Sequence, residues 1–293
     1  MSTTRRFREA RAAYLFLAPA MLAYAVFQLY PLAQGLWLSL FQAGLTPERT
    51  FVGLRNFERL AVDERFRRAL INTAFLVGGL VPLALTLSLG IALLVQPLAK
   101  RAQAFFRLAF YLPGVAGGVV LAMVWLWILN PTYGLLNSLL GAFGVRPVAW
   151  LGTTEWALPS LGMVVLTWIL GQPIILFVAG LDSIPPELPE AARLDGAGPW
   201  ALFRRVTLPM LRPTLLFVLV TQTIGAMQVF VVVHVMTRGG PANATQTIVY
   251  RIYETAFDFY EYGYASAMAV VLLALIAVVA VVQFRLLGQE IEH

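Results

Sequence analysis

The stretch Tyr262–Phe284 reads YGYASAMAVVLLALIAVVAVVQF and holds no Asp, Glu, Lys or Arg. About 20 mostly apolar residues are enough for a helix to cross a bilayer, so this segment is a span. Working outward from it, five more charge-free stretches appear: Ala12–Phe41, Ala69–Ala99, Leu108–Leu129, Trp156–Leu181 and Pro213–Thr237. Two of the six exceed a single crossing, so parts of them lie in the interface or tilt. A seventh apolar stretch, Tyr133–Phe143, is too short to cross and reads as an interfacial helix. Trp150 and Trp156 near it suit the headgroup zone. Composition agrees: 59% of the 293 residues are hydrophobic and 12% are charged, against roughly 25% charged in a soluble domain. Such a chain cannot coat a water-facing surface, and it is too apolar to be disordered. The fold class is all-α, a polytopic membrane protein with six transmembrane helices.

The chain has no cysteine, which excludes disulfides, Fe–S clusters and thiolate zinc sites. Its two histidines, His234 and His293, make a His-based metal site improbable. Arg5, Arg6, Arg8 and Arg11 ahead of an apolar run imitate a signal peptide, but the apolar character continues to Phe41, too long for a cleaved leader. Six spans put both termini on one side. That side carries 12 basic residues against 9 opposite, so the positive-inside rule makes the termini cytoplasmic. The loop Gln42–Arg68, with Arg49, Arg55, Arg59, Arg65, Arg67 and Arg68, runs against that bias. The +6 net charge marks the cytoplasmic face and is not a nucleic-acid footprint. The chain therefore divides into an N-terminal arm (1–11), a six-span domain (12–288) and a tail (289–293).

The longest inside loop, 182–212, reads as two short helices. Pro186 suits a first helical position, and Glu187 and Glu190 favour the positive end. Gly196 can stop that helix as a C-cap glycine. Pro199 can start the second, with Trp200, Phe203 and Val206 on one apolar face, and Pro209 and Pro213 end it. The loop is either a connector in the headgroup zone or a docking element for a partner.

Glu190-Ala191-Ala192, three residues, Gly196, nine residues, then Val206-Thr207-Leu208-Pro209 resembles the cytoplasmic EAA motif of ABC importer permeases. Val206 stands where that pattern usually has Ile. Gly180–Pro185, Phe51–Phe57, Ala69–Thr73, Asn130–Asn137, Gly239–Thr245 and Tyr262–Ala267 are similar to the carbohydrate-uptake branch of the family, the sugar and glycerol-3-phosphate permeases. The resemblance implies a type I importer permease in the cell inner membrane. In such a complex the EAA loop sits in a groove of the ATPase and transmits its closure to the spans. By that match Glu190, Ala191, Ala192, Asp195 and Gly196 lie at the ATPase contact, with Trp200, Phe203, Leu208 and Pro209 in the same projection. The implied partners are a second, different permease forming a heterodimer, an ATPase dimer that uses ATP and Mg, an extracytoplasmic solute-binding protein and membrane lipid. No nucleic acid is implied, and this chain binds no cofactor itself.

What is missing points the same way. A P-loop needs a lysine behind glycines. The only lysine, Lys100, follows Gln96-Pro97-Leu98-Ala99, so an ATPase has to be another chain. Ion-coupled carriers usually leave ionisable groups within the spans; here only His234 is present, near an end. No G-x-S-x-G of a serine hydrolase occurs. A path for a hydroxylated solute needs hydrogen-bonding and aromatic groups. Trp168 and Gln172 share one face; Thr221, Gly225 and Gln228 share another, with Gln222 beside them. These are either path-lining or interhelical glue. Gln28, Gln34, Asn72 and Asn137, near span ends, read as anchors or caps. Asn243-Ala244-Thr245 matches a glycosylation sequon by coincidence. The outer loop Thr237–Glu261, with Tyr250, Tyr253, Tyr260, Arg251, Glu254 and Asp258, is either a docking surface for a binding protein or an ordinary interfacial belt. Alternative functions are a stand-alone channel or secondary carrier, and a membrane-embedded regulator or scaffold.

Overall fold

In hydrocarbon every backbone N–H and C=O must be bonded within the protein, which leaves helices as the spanning element for segments like these. A computed structural model describes residues 3–288, with side chains from Tyr14 onward. The N-terminal arm is helical from Thr3, continuous with the first span, and the 289–293 tail with His293 lies outside the described residues.

The first span is α1 (Thr3–Tyr24), a π-helical turn (Ala25–Leu29) and α2 (Tyr30–Leu38). The wide turn lies just before Pro31, whose ring collides with the carbonyl four residues back in a regular helix. A two-stranded antiparallel ribbon follows, β1 (Phe41–Gln42) and β2 (Thr50–Phe51), then α3 (Arg55–Val62). The second span is α4 (Glu64–Val95). Asp63 caps it, its carboxylate accepting from the Arg65 and Phe66 amides at 2.8 and 3.1 Å. Arg65, Arg67 and Arg68 therefore ride on the helix, not in the expected loop. The absence of charge marks the part in hydrocarbon; the cap marks where the helix begins.

The third span is α5 (Lys100–Val115) and α6 (Gly118–Ile128), meeting at 95°. Gly117, with φ +82°, makes that corner. The 100–107 segment expected as a loop is the first half of α5. The expected short apolar helix is α7 (Leu135–Ala142). The fourth span is α8 (Thr154–Ile169) and α9 (Gly171–Asp182), bent by 45°. The long loop holds α10 (Glu187–Leu194), α11 (Pro199–Leu202), a π turn (Phe203–Thr207) and α12 (Leu208–Met210). The fifth span is α13 (Arg212–Met227) with α14 (Val231–Met236). After α15 (Ile248–Tyr253) and a π turn (Glu254–Asp258), α16 (Tyr262–Gly288) is the sixth. Counting each bent pair as one crossing gives the six expected spans.

Two compact units result: Met1–Val62 with Ile252–Leu273, and Asp63–Arg251 with Ala274–His293. In the larger, α4 packs along α9 and α13, α6 along α14, and α5 along α9. One buried cluster gathers Leu76, Leu161, Val165 and Val232. Another gathers Ala92, Ile174, Phe177 and Val218. Burial from water does not drive helices together in lipid, so close approach matters more. A Cβ on Gly171 would lie 2.5 Å from the Phe110 carbonyl oxygen and 2.7 Å from the Tyr111 Cα, so glycine sets the α5–α9 distance. In the smaller unit, the Asn56 amide donates to the Ser39 and Phe41 carbonyls at 2.8 and 3.0 Å. Arg59 pairs with Glu261 at 2.6 Å and lies over the Tyr264 ring.

The outer loop is only partly surface. Thr245, Gln246, Thr247, Tyr250 and Arg251 are buried. The buried Asn72 amide donates to the Asn243 and Gln246 carbonyls at 2.9 and 3.0 Å, and the Ile248 amide donates to the Thr73 hydroxyl at 3.0 Å. Arg251 faces Asp63 at 3.6 Å. Of the residues expected on its surface, Tyr250 and Arg251 are buried, Tyr253 and Glu254 are half-buried, and Asp258 and Tyr260 are exposed. Asn137 anchors likewise, accepting from the Val148 amide and the Trp150 indole at 3.1 and 3.0 Å.

Gly171→Ala is expected to lower stability by about 1–3 kcal/mol, because the obstruction is backbone and cannot rotate away. Gly90, with open space at its Cβ position, serves as the control. Thermal unfolding of the detergent-solubilised variants distinguishes the two, and equal midpoints would contradict the close approach.

Candidate functional site

The 182–212 loop leaves and re-enters the helical body at one place. Gly180 on α9 sits against Leu211 and Thr214: a Cβ there would lie 2.9 Å from the Leu211 Cδ2 and from the Thr214 hydroxyl oxygen. Leu211 is fully buried. At the same base, Asp182 faces Arg107 and Gln96, each at 3.4 Å. Gln103 donates to the Gln96 and Leu98 carbonyls at 2.6 and 3.0 Å. The ends of α4, α5 and α9 are thereby tied together beneath the loop.

From this base α10 projects and then stops at Gly196. The Gly196 amide donates to the Arg193 carbonyl at 3.0 Å and the Ala197 amide to the Ala192 carbonyl at 2.9 Å. With Gly196 at φ +83°, this is a Schellman cap, the arrangement that reverses a chain using a left-handed residue. The second helix runs on through Pro209 instead of ending there. The π turn Phe203–Thr207 opens just before Pro209 and absorbs its missing N–H; the break comes at Leu211.

Glu190, Ala191, Asp195 and Gly196 are exposed, and Ala192 is half-buried. Phe203, Leu208 and Pro209 are half-buried, while Trp200, stacked on Phe203 with ring centroids 5.6 Å apart, is 70% exposed. Leu194 is 90% exposed and was not singled out from the sequence. Leu188, Ala191 and Leu194, three apart on α10, form an exposed apolar stripe. The signal was present: a leucine just before the Asp195-Gly196 stop, in a helix otherwise too polar to be buried.

Of the residues expected along a solute path, Trp168, Gln172 and Gln228 lie at helix breaks, while Thr221 and Gln222 lie within α13. Three spans are interrupted, at Gly117, at Leu170–Gly171 and between α13 and α14. These breaks converge. A Cβ on Gly118 would lie 2.9 Å from the Trp168 ring and 3.2 Å from Val231. Pro173 explains the bend in the fourth span, since it offers no N–H to the Ile169 carbonyl. The Gln222 amide supplies the missing donor, reaching Ile169 O at 3.1 Å. The carbonyl of Val229, at the next break, accepts from the Thr247 hydroxyl at 2.8 Å. Gln222 therefore has an interhelical bond, and Trp168 is half-buried. Gln172, Thr221, Gly225 and Gln228 are exposed on this chain. Thr223 accepts from Gln283 at 2.8 Å. His234 stacks on Phe230 with centroids 5.2 Å apart.

The model of the "Binding-protein-dependent transport system inner membrane component" family matches residues 81–293. The chain belongs to this family. Such a permease is a multi-pass inner-membrane subunit of an ABC importer. The diacetylchitobiose uptake system permease of Streptomyces coelicolor is 33% identical, covering 92% of this chain and 80% of that one. The trehalose/maltose transport system permease of Thermococcus litoralis is 32% identical over 97% and 96% of the two chains. The sn-glycerol-3-phosphate transport system permease of Agrobacterium fabrum is 32% identical over 96% of each. A solved bacterial ABC transporter for import of the polysaccharide alginate has the same fold, with a TM-score of 0.85 at 24% identity over 97% and 98% of the chains.

In this permease Gln222→Leu is expected to cost about 1 kcal/mol, since hydrogen bonds between membrane helices are worth roughly that much. The comparison is the unfolding midpoint against Gln222→Glu, which keeps polarity but loses the donor. An unchanged midpoint in both would mean the Ile169 carbonyl is served another way.

Proposed function

We propose that this permease moves a polar, hydroxylated solute of the sugar, oligosaccharide or glycerol-3-phosphate kind, delivered by an extracytoplasmic solute-binding protein. It works with a second permease chain and an ATPase dimer, which hydrolyses ATP with Mg. The observation that carries the reading is the loop. Leu194 and Trp200 stand exposed on a projection whose base is clamped by Gly180, Leu211 and the Asp182–Arg107 contact. Exposed apolar side chains held on a stiff mount suit insertion into a partner's groove. The stiff mount suits the transmission of a push, because rigid elements move as bodies. Glu190 and Asp195 add charge at the rim, where it favours orientation over affinity.

Three further observations support the assembly. No residue of the first span, Tyr14–Leu38, is buried, which leaves a whole apolar helix for a second permease and lipid to cover. The basic excess on the loop's side supports cytoplasmic termini and a cytoplasmic loop. The solutes in the relatives' names are hydroxylated, and the exposed Gln172 and Gln228 flank two of the helix breaks, with the exposed Thr221 further back on α13. Interrupted helices in a membrane are tolerated where they line a cavity, so these three are the proposed path residues, with Trp168 behind them and Gln222 holding the wall.

Replacing both Leu194 and Trp200 by Glu is expected to abolish solute-stimulated ATP hydrolysis in the reconstituted complex while helix content and membrane insertion stay unchanged. Stimulated hydrolysis at the wild-type level would refute the coupling role. Labelling of a cysteine placed at position 190 from outside intact cells would refute the orientation.

A further inference from the structure

The arginines of Arg65–Arg68 oppose the charge rule for the outer side, and neither the coupling loop nor the path uses them. They sit on the first turns of α4. Arg67 is paired with Glu64 at 2.6 Å, which leaves Arg65 and Arg68 exposed and without an acidic partner among the described residues. They line a cavity of about 380 Å³ together with the Glu64–Arg67 pair, Ile71, Ala242 and Asn243, so its charge is net positive. Ile71 also lines a second cavity of about 470 Å³, which continues down α4 past Ala74 to Gly78. That second cavity is apolar, walled by Met227, Ile248, Leu275 and Val279. Beyond its own stretch of helix, nothing lies within 4 Å of where a Cβ on Gly78 would be, so a side chain added there would enter open space.

Depth connects the two. Arg68 is the last charge before the uncharged run that begins at Ala69, so its guanidinium is at the headgroup level whatever the tilt of the helix. Ten residues separate Arg68 from Gly78, about 15 Å along a helix, which is half of the roughly 30 Å hydrocarbon core. A cationic head above an apolar slot one leaflet deep has the shape and charge of one phospholipid. We propose that this groove of α4 holds a single anionic phospholipid, with its phosphate on Arg65 and Arg68 and one acyl chain lying along Ile71, Ala74 and Gly78. Two unpaired guanidinium groups favour a net-negative headgroup over a zwitterionic one, and guanidinium binds phosphate oxygens through parallel N–H donors. The proposal rests on the membrane-spanning fold and is independent of which solute is carried. The buried Asn72 and Arg251 contacts keep the 242–251 segment against α4, and so hold the wall that Asn243 and Ile248 provide.

The test is native mass spectrometry of the full chain released from nanodiscs made of equal parts phosphatidylglycerol and phosphatidylcholine. The wild type is expected to retain one phosphatidylglycerol. Replacing both Arg65 and Arg68 by Gln is expected to lower retention about 30-fold, from the loss of two surface cation contacts. Gly78→Leu, which fills the slot and leaves every charge in place, is expected to lower it comparably. Arg55→Gln, elsewhere on the outer side, is expected to leave it unchanged. Helix content by circular dichroism confirms that each variant is folded. Equal retention of the two lipids, retention that survives either variant, or loss in the arginine variant alone would each overturn the proposal. So would a complex with the second permease that excludes the lipid and falls apart on Gly78→Leu, which would make the groove a subunit interface.

Discussion

A peptide group in hydrocarbon has no water to bond, and this one constraint organises the molecule. It makes the six apolar segments helical, and it dictates what happens where a helix is interrupted. Pro173 strips the Ile169 carbonyl of its donor, and the Gln222 side chain answers from the neighbouring helix. The gap after α13 exposes the Val229 carbonyl, and Thr247 answers from the outer segment. Each repair requires a polar side chain at a fixed place on another element. The breaks are consequently gathered together, and Thr247 of the outer segment reaches in among them.

The same logic separates two kinds of polar residue within the spans. Asn72, Gln222 and Thr223 are committed to carbonyls or side chains of other elements, and they hold the structure. Gln172, Thr221 and Gln228 are exposed on this chain, and Thr221 bonds only to carbonyls of its own helix. A helix surface of that kind is costly against acyl chains and suited to a wetted path. At the other end of the molecule the loop reverses the usual economy of a soluble surface. Its Leu194 and Trp200 are outside, and its small and apolar contacts at Gly180 and Leu211 are spent on fixing the base.

How much of this was legible beforehand depended on the range of the interaction. The six spans were readable because charge is excluded from hydrocarbon residue by residue, with no reference to neighbours. The Gly196 stop was readable because a helix ends on local backbone geometry, and the EAA spacing because it lies within one loop. Helix starts were misplaced at Glu64 and Lys100, where amphiphilic turns extend beyond the membrane-embedded part. Pro209 was misread as a terminator because a π turn upstream accommodates it. Tyr250 and Arg251 looked like surface on composition alone, but their partners lie on a distant helix.

The sequence by itself determined a six-span membrane protein with a motif-bearing loop, because apolar run length and turn chemistry are local properties. Only the tertiary structure decided which glutamine repairs a kink and which stays exposed on this chain. It alone decided that the outer segment is buried, and that Leu194 and Trp200 share an exposed tip. Those outcomes depend on which carbonyl loses its partner and which helix passes within reach of it, and that is fixed by packing across tens to hundreds of residues.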